Sequence, residues 1–457
     1  MKYREASFWF DSLGAEPVAR APLPGDLQVD VVILGAGFTG LWTAYYLTRA
    51  DPSCRVALVE RDIAGFGASG RNGGWCAAML QGLDRFCERD RQAGAALRDA
   101  MVETVHEVGS VCRAEGIEAD YHLGGGYSIA ADAPQAARLR REFEHGRDVI
   151  GWTENDVQWL EPEELSQRMR VASCHGAIYN PGTAALNPAK LARGLAEAVE
   201  RNGATIYEQT TVEGYEKGLV RTDRGTIRAE RVVVALNCHV SQLPGAARHV
   251  VPFYNYMIAT EPLSQGQWDE IGLAPRGLFG DFRRLFFYAQ RTADDRIAIG
   301  GRTSSYHYAN RIDSSFERHQ ASFRKIHLGL LEMLPQLADV EITHRWGGVL
   351  GMQRDMAAAV LYNEALGIAQ VRSYMGEGVT ASNLAGRTIC DLVRGEKTPR
   401  VSFPWVEHHS RRWEPEPLRW IGFNGGEKLS HSADESEAKS GRPARIRSKI
   451  LETIGVW

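Results

Sequence analysis

Asp30-Val-Val-Ile-Leu-Gly35-Ala-Gly37-Phe38-Thr39-Gly40 is the stretch that decides the fold: four consecutive apolar residues run straight into three glycines spaced G-x-G-x-x-G. An uninterrupted apolar run is what a central parallel strand, covered on both faces, requires. The glycines allow a tight turn, close approach to a pyrophosphate and close packing of the next helix. That helix would aim its N-terminal N–H groups and dipole at the phosphate. A second strand, Arg55-Val-Ala-Leu-Val59, ends at Glu60-Arg61, about 20 residues past Gly40, where the Glu60 carboxylate can accept from a ribose hydroxyl. Gly67-Ala68-Ser69-Gly70-Arg71-Asn72-Gly73-Gly74 follows. Together these segments describe a bound FAD.

With 457 residues the chain exceeds one ordinary core, so two domains, or one sheet with long insertions, are expected. The formal net charge is −4 with both signs interspersed, which provides no basic field for nucleic acid or an anionic membrane. Seven scattered cysteines without a C-x-x-C pair argue against a disulfide framework, a zinc site or a redox-active disulfide, and for a reducing compartment. The charged N-terminus lacks a following apolar run, and no apolar stretch of about 20 residues occurs, so a cytoplasmic protein without a membrane span is expected.

Working outward, residues 1–29 read as an N-terminal arm whose Phe8-Trp9-Phe10 cluster packs on the body. Leu97, Met101, Val105, Val108 and Cys112 recur at steps of four and three, predicting a long helix over 91–115, with His106 beside its buried stripe. Tyr121 to Ala130 reads as a strand with three glycines, 124–126, a sign of a bulge or a close approach. A helix over 133–149 follows, and Asn187-Pro188 opens another with a polar cap and a first-turn proline. Strands are expected at 205–208, 211–215, 218–220, 226–228 and 231–236, then at 256–260, 285–288 and 296–300 around a helical insertion at 314–335. Trp346-Gly-Gly348 and Met375-Gly376-Glu377-Gly378-Val379-Thr380 precede a helix through Leu392.

These motifs resemble the D-amino-acid-oxidase-like superfamily of FAD amine oxidoreductases, which includes glycine, sarcosine and gamma-glutamylputrescine oxidases, over about residues 5–395. Ser69-Gly-Arg-Asn-Gly-Gly74 is most similar to the gamma-glutamylputrescine oxidase branch. The implied fold is α/β (α+β), a Rossmann-type FAD-binding domain with a parallel central sheet, interleaved with a largely antiparallel substrate-domain sheet flanked by helices. Its expected division is 30–85, 155–245 and 345–395 for FAD, 86–154 and 246–344 for substrate, and 396–457 as a Pro- and charge-rich tail. By the same resemblance Ser69 to Gly74 wrap the pyrophosphate and isoalloxazine, with Ala68 beside them among the cofactor-binding residues. Val212 touches adenine through its backbone, and Gly376, Gly378, Val379 and Thr380 cover the flavin pyrimidine edge. Glycines in these places leave a flat ring free to lie against the chain, although ordinary turns, and a surface role for Arg71, are the plainer alternatives.

The resemblance implies oxidation of the C–N bond of a primary or secondary amine to an imine by hydride transfer to flavin N5, the flavin held non-covalently, with O2 as the expected acceptor giving H2O2. Two departures bear on this. Ala298 stands where monomeric sarcosine oxidases carry a lysine, which favours a dehydrogenase passing electrons to a quinone or protein acceptor. No arginine equivalent to the carboxylate-binding one of related amino-acid oxidases is fixed, with Arg283, Arg284 and Arg291 as candidates. Strand alternation puts Tyr254 with Tyr256, and Phe286 with Tyr288, on shared faces, so Tyr256 and Tyr288 are the candidate aromatic box for an amine, or else core. His122, His239 and His344 are further candidates to face the flavin, Cys76 is the one for a covalent link, and Trp405, Trp413, Trp420 and Trp457 would serve a non-catalytic FAD-binding subunit of a larger assembly.

Overall fold

The apolar run forms β1 (Leu27–Leu34), which turns through the glycines into α1 (Phe38–Ala50) and on to β2 (Val56–Val59). β1 pairs in parallel with β2 on one side, Val31 opposite Val56. Among the remaining elements around this sheet are α2 (Arg91–Glu115), α3 (Pro188–Arg201) and β3 (Gly225–Val234). β3 pairs in parallel with the other side of β1, and Thr205–Tyr207 and Ile368–Arg372 extend the parallel core. The hairpin Val212–Glu216 with Leu219–Thr222 and the strand Ala359–Asn363 add antiparallel edges. The computed structural model describes residues 2–455, apart from the side chains of 302–304; Trp457 lies outside the described residues.

A second eight-stranded sheet contains Gly126–Ile129, Gln158–Leu160 and Ala177–Asn180 with β4 (Val251–Thr260), β5 (Leu278–Asp281), β6 (Phe287–Arg291), β7 (Ile297–Ser305) and β8 (Ile342–Met352). Every pairing in it is antiparallel except β5 with Gly126–Ile129. α4 (Gln320–Met333) covers it, and Phe323, Ile326 and Leu330 share a core with Tyr254, Tyr256 and Ile299. α5 (Gly378–Arg394) returns to the first sheet and packs on α1. The helices α6 (Leu418–Ser440) and α7 (Arg445–Ile454) follow.

The fold class is the expected one, while several segments differ from the sequence reading. The runs at 226–228 and 231–236 are one strand, β3, because β1 pairs along it from Ile227 to Val234 while its first residues also close the hairpin. The reading at 285–288 slides to β6, where the register with β7 pairs Phe287 with Gly301. The helix after 133 closes at His145 and widens into a turn over Gly146–Ile150. Tyr121 to Ala130 is two short strands in different sheets, broken where Gly125 takes φ +76°. The tail is largely helical, with Phe403 and Trp405 buried in the core of the first sheet and Trp413 and Phe423 packed with Val251, Phe253 and Met352 of the second.

Sheet membership also redistributes the expected division. Gln158–Leu160, Ala177–Asn180 and β8 pair within the second sheet, and the buried stripe of α2 packs into the core of the first. The arm packs as expected, with Phe8, Trp9 and Phe10 each at most 4% exposed.

Candidate functional site

The turn between β1 and α1 is shaped by what its glycines exclude. Gly35 takes φ +97°, and a Cβ on Gly40 would stand 2.0 Å from the Gly35 carbonyl oxygen, so α1 can only start this close to the strand with glycine there. Glu60 accepts from Ala36 N–H and Asp62 N–H, each at 3.0 Å, which ties the end of β2 to the turn. Burial pushes the Glu60 carboxyl up, and those two N–H groups pull it back. Ser69 Oγ accepts from Phe38 N–H at 2.8 Å, bringing the second glycine-rich loop against the start of α1.

That loop is held by its carbonyl groups. Asn72 Nδ2 donates to the Ala68 and Ser69 carbonyls, Trp346 Nε1 to that of Arg71 at 2.9 Å, Trp9 Nε1 to that of Asn72 at 2.7 Å, and Gln290 Nε2 to that of Gly73 at 2.6 Å. Among the described residues no acceptor meets the Asn72 and Gly73 N–H groups. A loop with tied carbonyls and free N–H groups is an anion- and carbonyl-binding device. Arg71 is buried rather than a surface charge: its Nη1 lies 2.7 Å from Glu317 Oε2 and donates to the Gly347 carbonyl.

Two cavities meet along this loop. One, with about 560 Å³ of empty space, is lined by Gly37, Phe38, Thr39, Ser69, Asn237, Tyr374, Gly378 and Ser382 among others. The other, with about 1230 Å³ open to solvent, is lined by Arg71, Gly73, Trp75, Ser128, Phe253, Asn255, Met257, Asp281, Phe286, Tyr288 and Glu377 among others. Ala68, Asn72, Leu350, Met375, Gly376 and Val379 line both, so a single space runs from the N-terminus of α1 to the aromatic wall of the second sheet.

Tyr288 closes that wall. Its ring fills the room a Cβ would need at Gly73 and at Gly300, and its hydroxyl accepts from Asn255 Nδ2 at 2.9 Å. Burial raises its pKa, and the Asn255 hydrogen bond opposes this, so the phenol stays protonated. Tyr256 belongs elsewhere: it is 1% exposed, its hydroxyl bonds Ser305 Oγ and the Phe316 carbonyl at 3.0 Å each, and it packs on α4. Alternation along β4 explains the difference, since Phe253, Asn255 and Met257 face the cavity and Tyr254 and Tyr256 face the core. Asp281, 4% exposed, lines the cavity; burial pushes its carboxyl up to about 7 against the pull of Arg283.

Of the expected cofactor residues, Gly37, Phe38, Thr39, Ala68, Ser69, Arg71, Asn72, Gly73, Gly376, Gly378 and Val379 line the joined space. Gly35, Gly40, Glu60 and Gly74 support it from behind. Arg61 pairs with Asp62, Val212 sits on an edge strand, and neither lines it. Thr380 turns into the core, its Oγ1 3.3 Å from Cys76 Sγ. Cys76 is itself buried, with its thiol pushed up to about 12 by burial, which is no setting for a thiolate. Arg283 is held by Asp281 and Glu332, Arg284 by Asp434 and Glu437, and Arg291 by Asp295 and the Leu273 carbonyl. None of the three lines the cavity, nor do His122, His239 or His344. His239 is pulled down to about 3 by burial and by Arg61 and Arg71, and His344 pairs with Asp11. Asn255, Asp281 and Gln290 escaped the sequence reading, although a lone Asn in the apolar run Val251–Thr260 is a signal that one face of β4 meets something polar.

Comparison with known proteins agrees with this geometry. The family model of FAD dependent oxidoreductases (DAO) matches residues 30–392. The chain is 29% identical over 405 residues to "Probable oxidoreductase OrdL" of Rhizobium meliloti (strain 1021), covering 85% of this chain and 89% of that one. It is 28% identical over 396 residues to the gamma-glutamylputrescine oxidoreductase of Escherichia coli (strain K12), covering 84% and 88%. The crystal structure of glycine oxidase from Geobacillus kaustophilus superposes with a TM-score of 0.66 at 24% identity, covering 84% of this chain and 99% of that one.

Proposed function

Since the chain belongs to the DAO family of FAD-dependent oxidoreductases, we propose that it oxidises the C–N bond of a small primary or secondary amine to an imine, with O2 as acceptor. The observation that carries this reading is the continuous space that begins at the glycine turn of a dinucleotide fold and ends on Trp75, Phe253, Phe286 and Tyr288. FAD, when bound, supplies the two-electron acceptor.

The chain's own residues do the rest. The start of α1, held against the second glycine-rich loop by the Phe38 N–H to Ser69 Oγ bond, would hold the pyrophosphate. Asn72 and Gly73 N–H groups and the start of α5 at Gly378–Val379 line the cavities where the flavin ring would lie, and as fixed donors they would stabilise negative charge on it. The aromatic wall attracts an ammonium by its ring faces, and displacement of water as the ligand fills the cavity favours the neutral amine from which hydride can leave. Tyr288, fixed by Asn255, orients the amine as a hydrogen-bond donor to its nitrogen or its neighbouring polar group.

A second reading is a dehydrogenase that delivers electrons to a quinone or protein. It draws on Ala298, wholly buried in β7, and on the lack of any lysine among the residues lining the cavity. The measurement is anaerobic reduction of the FAD-loaded protein by amines, amino acids, N-methyl amino acids and polyamine conjugates, followed by air. Rapid reoxidation with stoichiometric peroxide is expected. Slow reoxidation in air with fast reoxidation by a quinone defeats the oxidase reading, and no reduction by any amine defeats both.

A further inference from the structure

We propose that the C-terminal helix pair is part of the substrate side of the site, with Asp434 and Glu437 as positioning residues for the aromatic wall Phe286–Tyr288. The proposal rests on the reading that this wall receives the amine. The wall is a hairpin: Gly280 and Asp281 at the end of β5, Phe286 just before β6, and Phe287 and Tyr288 at its start all line the cavity. The connecting residues 282–285 are held from α6. Arg284 N–H and Leu285 N–H each donate to the Asp434 carboxylate at 3.3 Å. The Arg284 guanidinium spans Asp434 at 3.0 Å, both oxygens of Glu437 at 2.8 and 2.9 Å, and Ser448 Oγ on α7 at 2.8 Å.

The third backbone group of the connection is reached indirectly. Arg138 Nη2 donates to the Phe282 carbonyl at 3.3 Å, while its Nη1 is bound by Glu437. Glu437 is 1% exposed and also accepts from Ala444 N–H at 2.8 Å, at the junction of α6 and α7. Burial opposes its charge, yet Arg284, the Ala444 N–H and Arg138 hold it down to about 2, so the support stays ionised at any working pH. A carboxylate gripping two guanidinium forks fixes direction as well as distance. The family match ends at residue 392, so this support comes from a segment outside the shared part of the chain.

The test uses FAD-loaded Asp434→Asn and Glu437→Gln, with Glu435→Gln, an exposed acid on the same helix, as control. The expected result is a rise of about tenfold or more in amine KM with kcat at saturation within about threefold, and an unchanged visible flavin spectrum. Deuterium uptake should quicken in peptides spanning 282–288 and not in those spanning 65–80. Where Glu437→Gln does not fold, Ser448→Ala removes one bond to Arg284 and is expected to show the same split more weakly. Variants that bind FAD with unchanged KM and unchanged uptake at 282–288 overturn the proposal. A protein that no amine reduces defeats the amine reading instead, and the exchange measurement separates that failure from this one.

Discussion

The two sides of the cavity are made of different material. On the dinucleotide side, the turn at Gly35–Gly40 and the loop Ala68–Gly74 present backbone, with carbonyls tied down by Asn72, Trp9, Trp346 and Gln290 and N–H groups left for a ligand. On the opposite side, β4, β5 and β6 and the residue before β6 present side chains, Asn255, Asp281, Phe286 and Tyr288. The first kind of surface serves a cofactor that never changes. The second suits a substrate that differs from one relative to the next.

Substitutions on the two sides should therefore fail differently. The largest effect is expected from Gly40→Val, whose Cβ would meet the Gly35 carbonyl at 2.0 Å. FAD affinity should fall by at least about 100-fold, roughly 3 kcal/mol, read by flavin fluorescence titration, with no residual turnover. Tyr288→Phe should instead keep FAD and lower amine kcat/KM by about tenfold, since it loses only the hydroxyl set by Asn255. Tyr256→Phe sharpens the contrast: two hydrogen bonds in the core are lost, so stability should drop by about 1–2 kcal/mol in a denaturant melt with kinetics unchanged.

A smaller effect concerns pH. Burial raises the Asp281 carboxyl from an ordinary 3.8 to about 7, so the folded chain holds a proton that the unfolded chain has released. Stability contributed by this group falls as pH rises between those values, and amine kcat/KM should inflect near pH 7. Asp281→Asn should remove the inflection; its persistence would assign it to another group. The smallest expected effect is that of Cys76→Ser, which should leave flavin content unchanged, with acid precipitation releasing all of the yellow colour.

The same contrast explains what could be read from the sequence. A backbone-made site leaves its trace in glycine spacing, so the turn, Glu60 and the loop Ala68–Gly74 were legible, as were α2 and α3 from their periodicity and capping. A side-chain-made wall depends on which face of a strand turns inward. Period-two alternation paired Tyr254 with Tyr256 without saying that their face meets α4, and the one-residue identity of Asn255 was the only local hint. Thr380 and Val212 were carried over by family position and lie outside the cavity because helix rotation and edge-strand placement are set by packing. α6 was hidden because it has no continuous apolar stripe and Phe423, one of its few buried residues, packs among distant residues of the second sheet.

The central claim is that one continuous space holds FAD on backbone and an amine on side chains. Anaerobic titration of FAD-loaded wild type and Tyr288→Phe with a panel of amines measures both halves at once. The account predicts that wild type is bleached by at least one amine and that the variant, equally yellow, is bleached more slowly by it. A protein that takes up no FAD, or a variant bleached as fast as wild type, would contradict it.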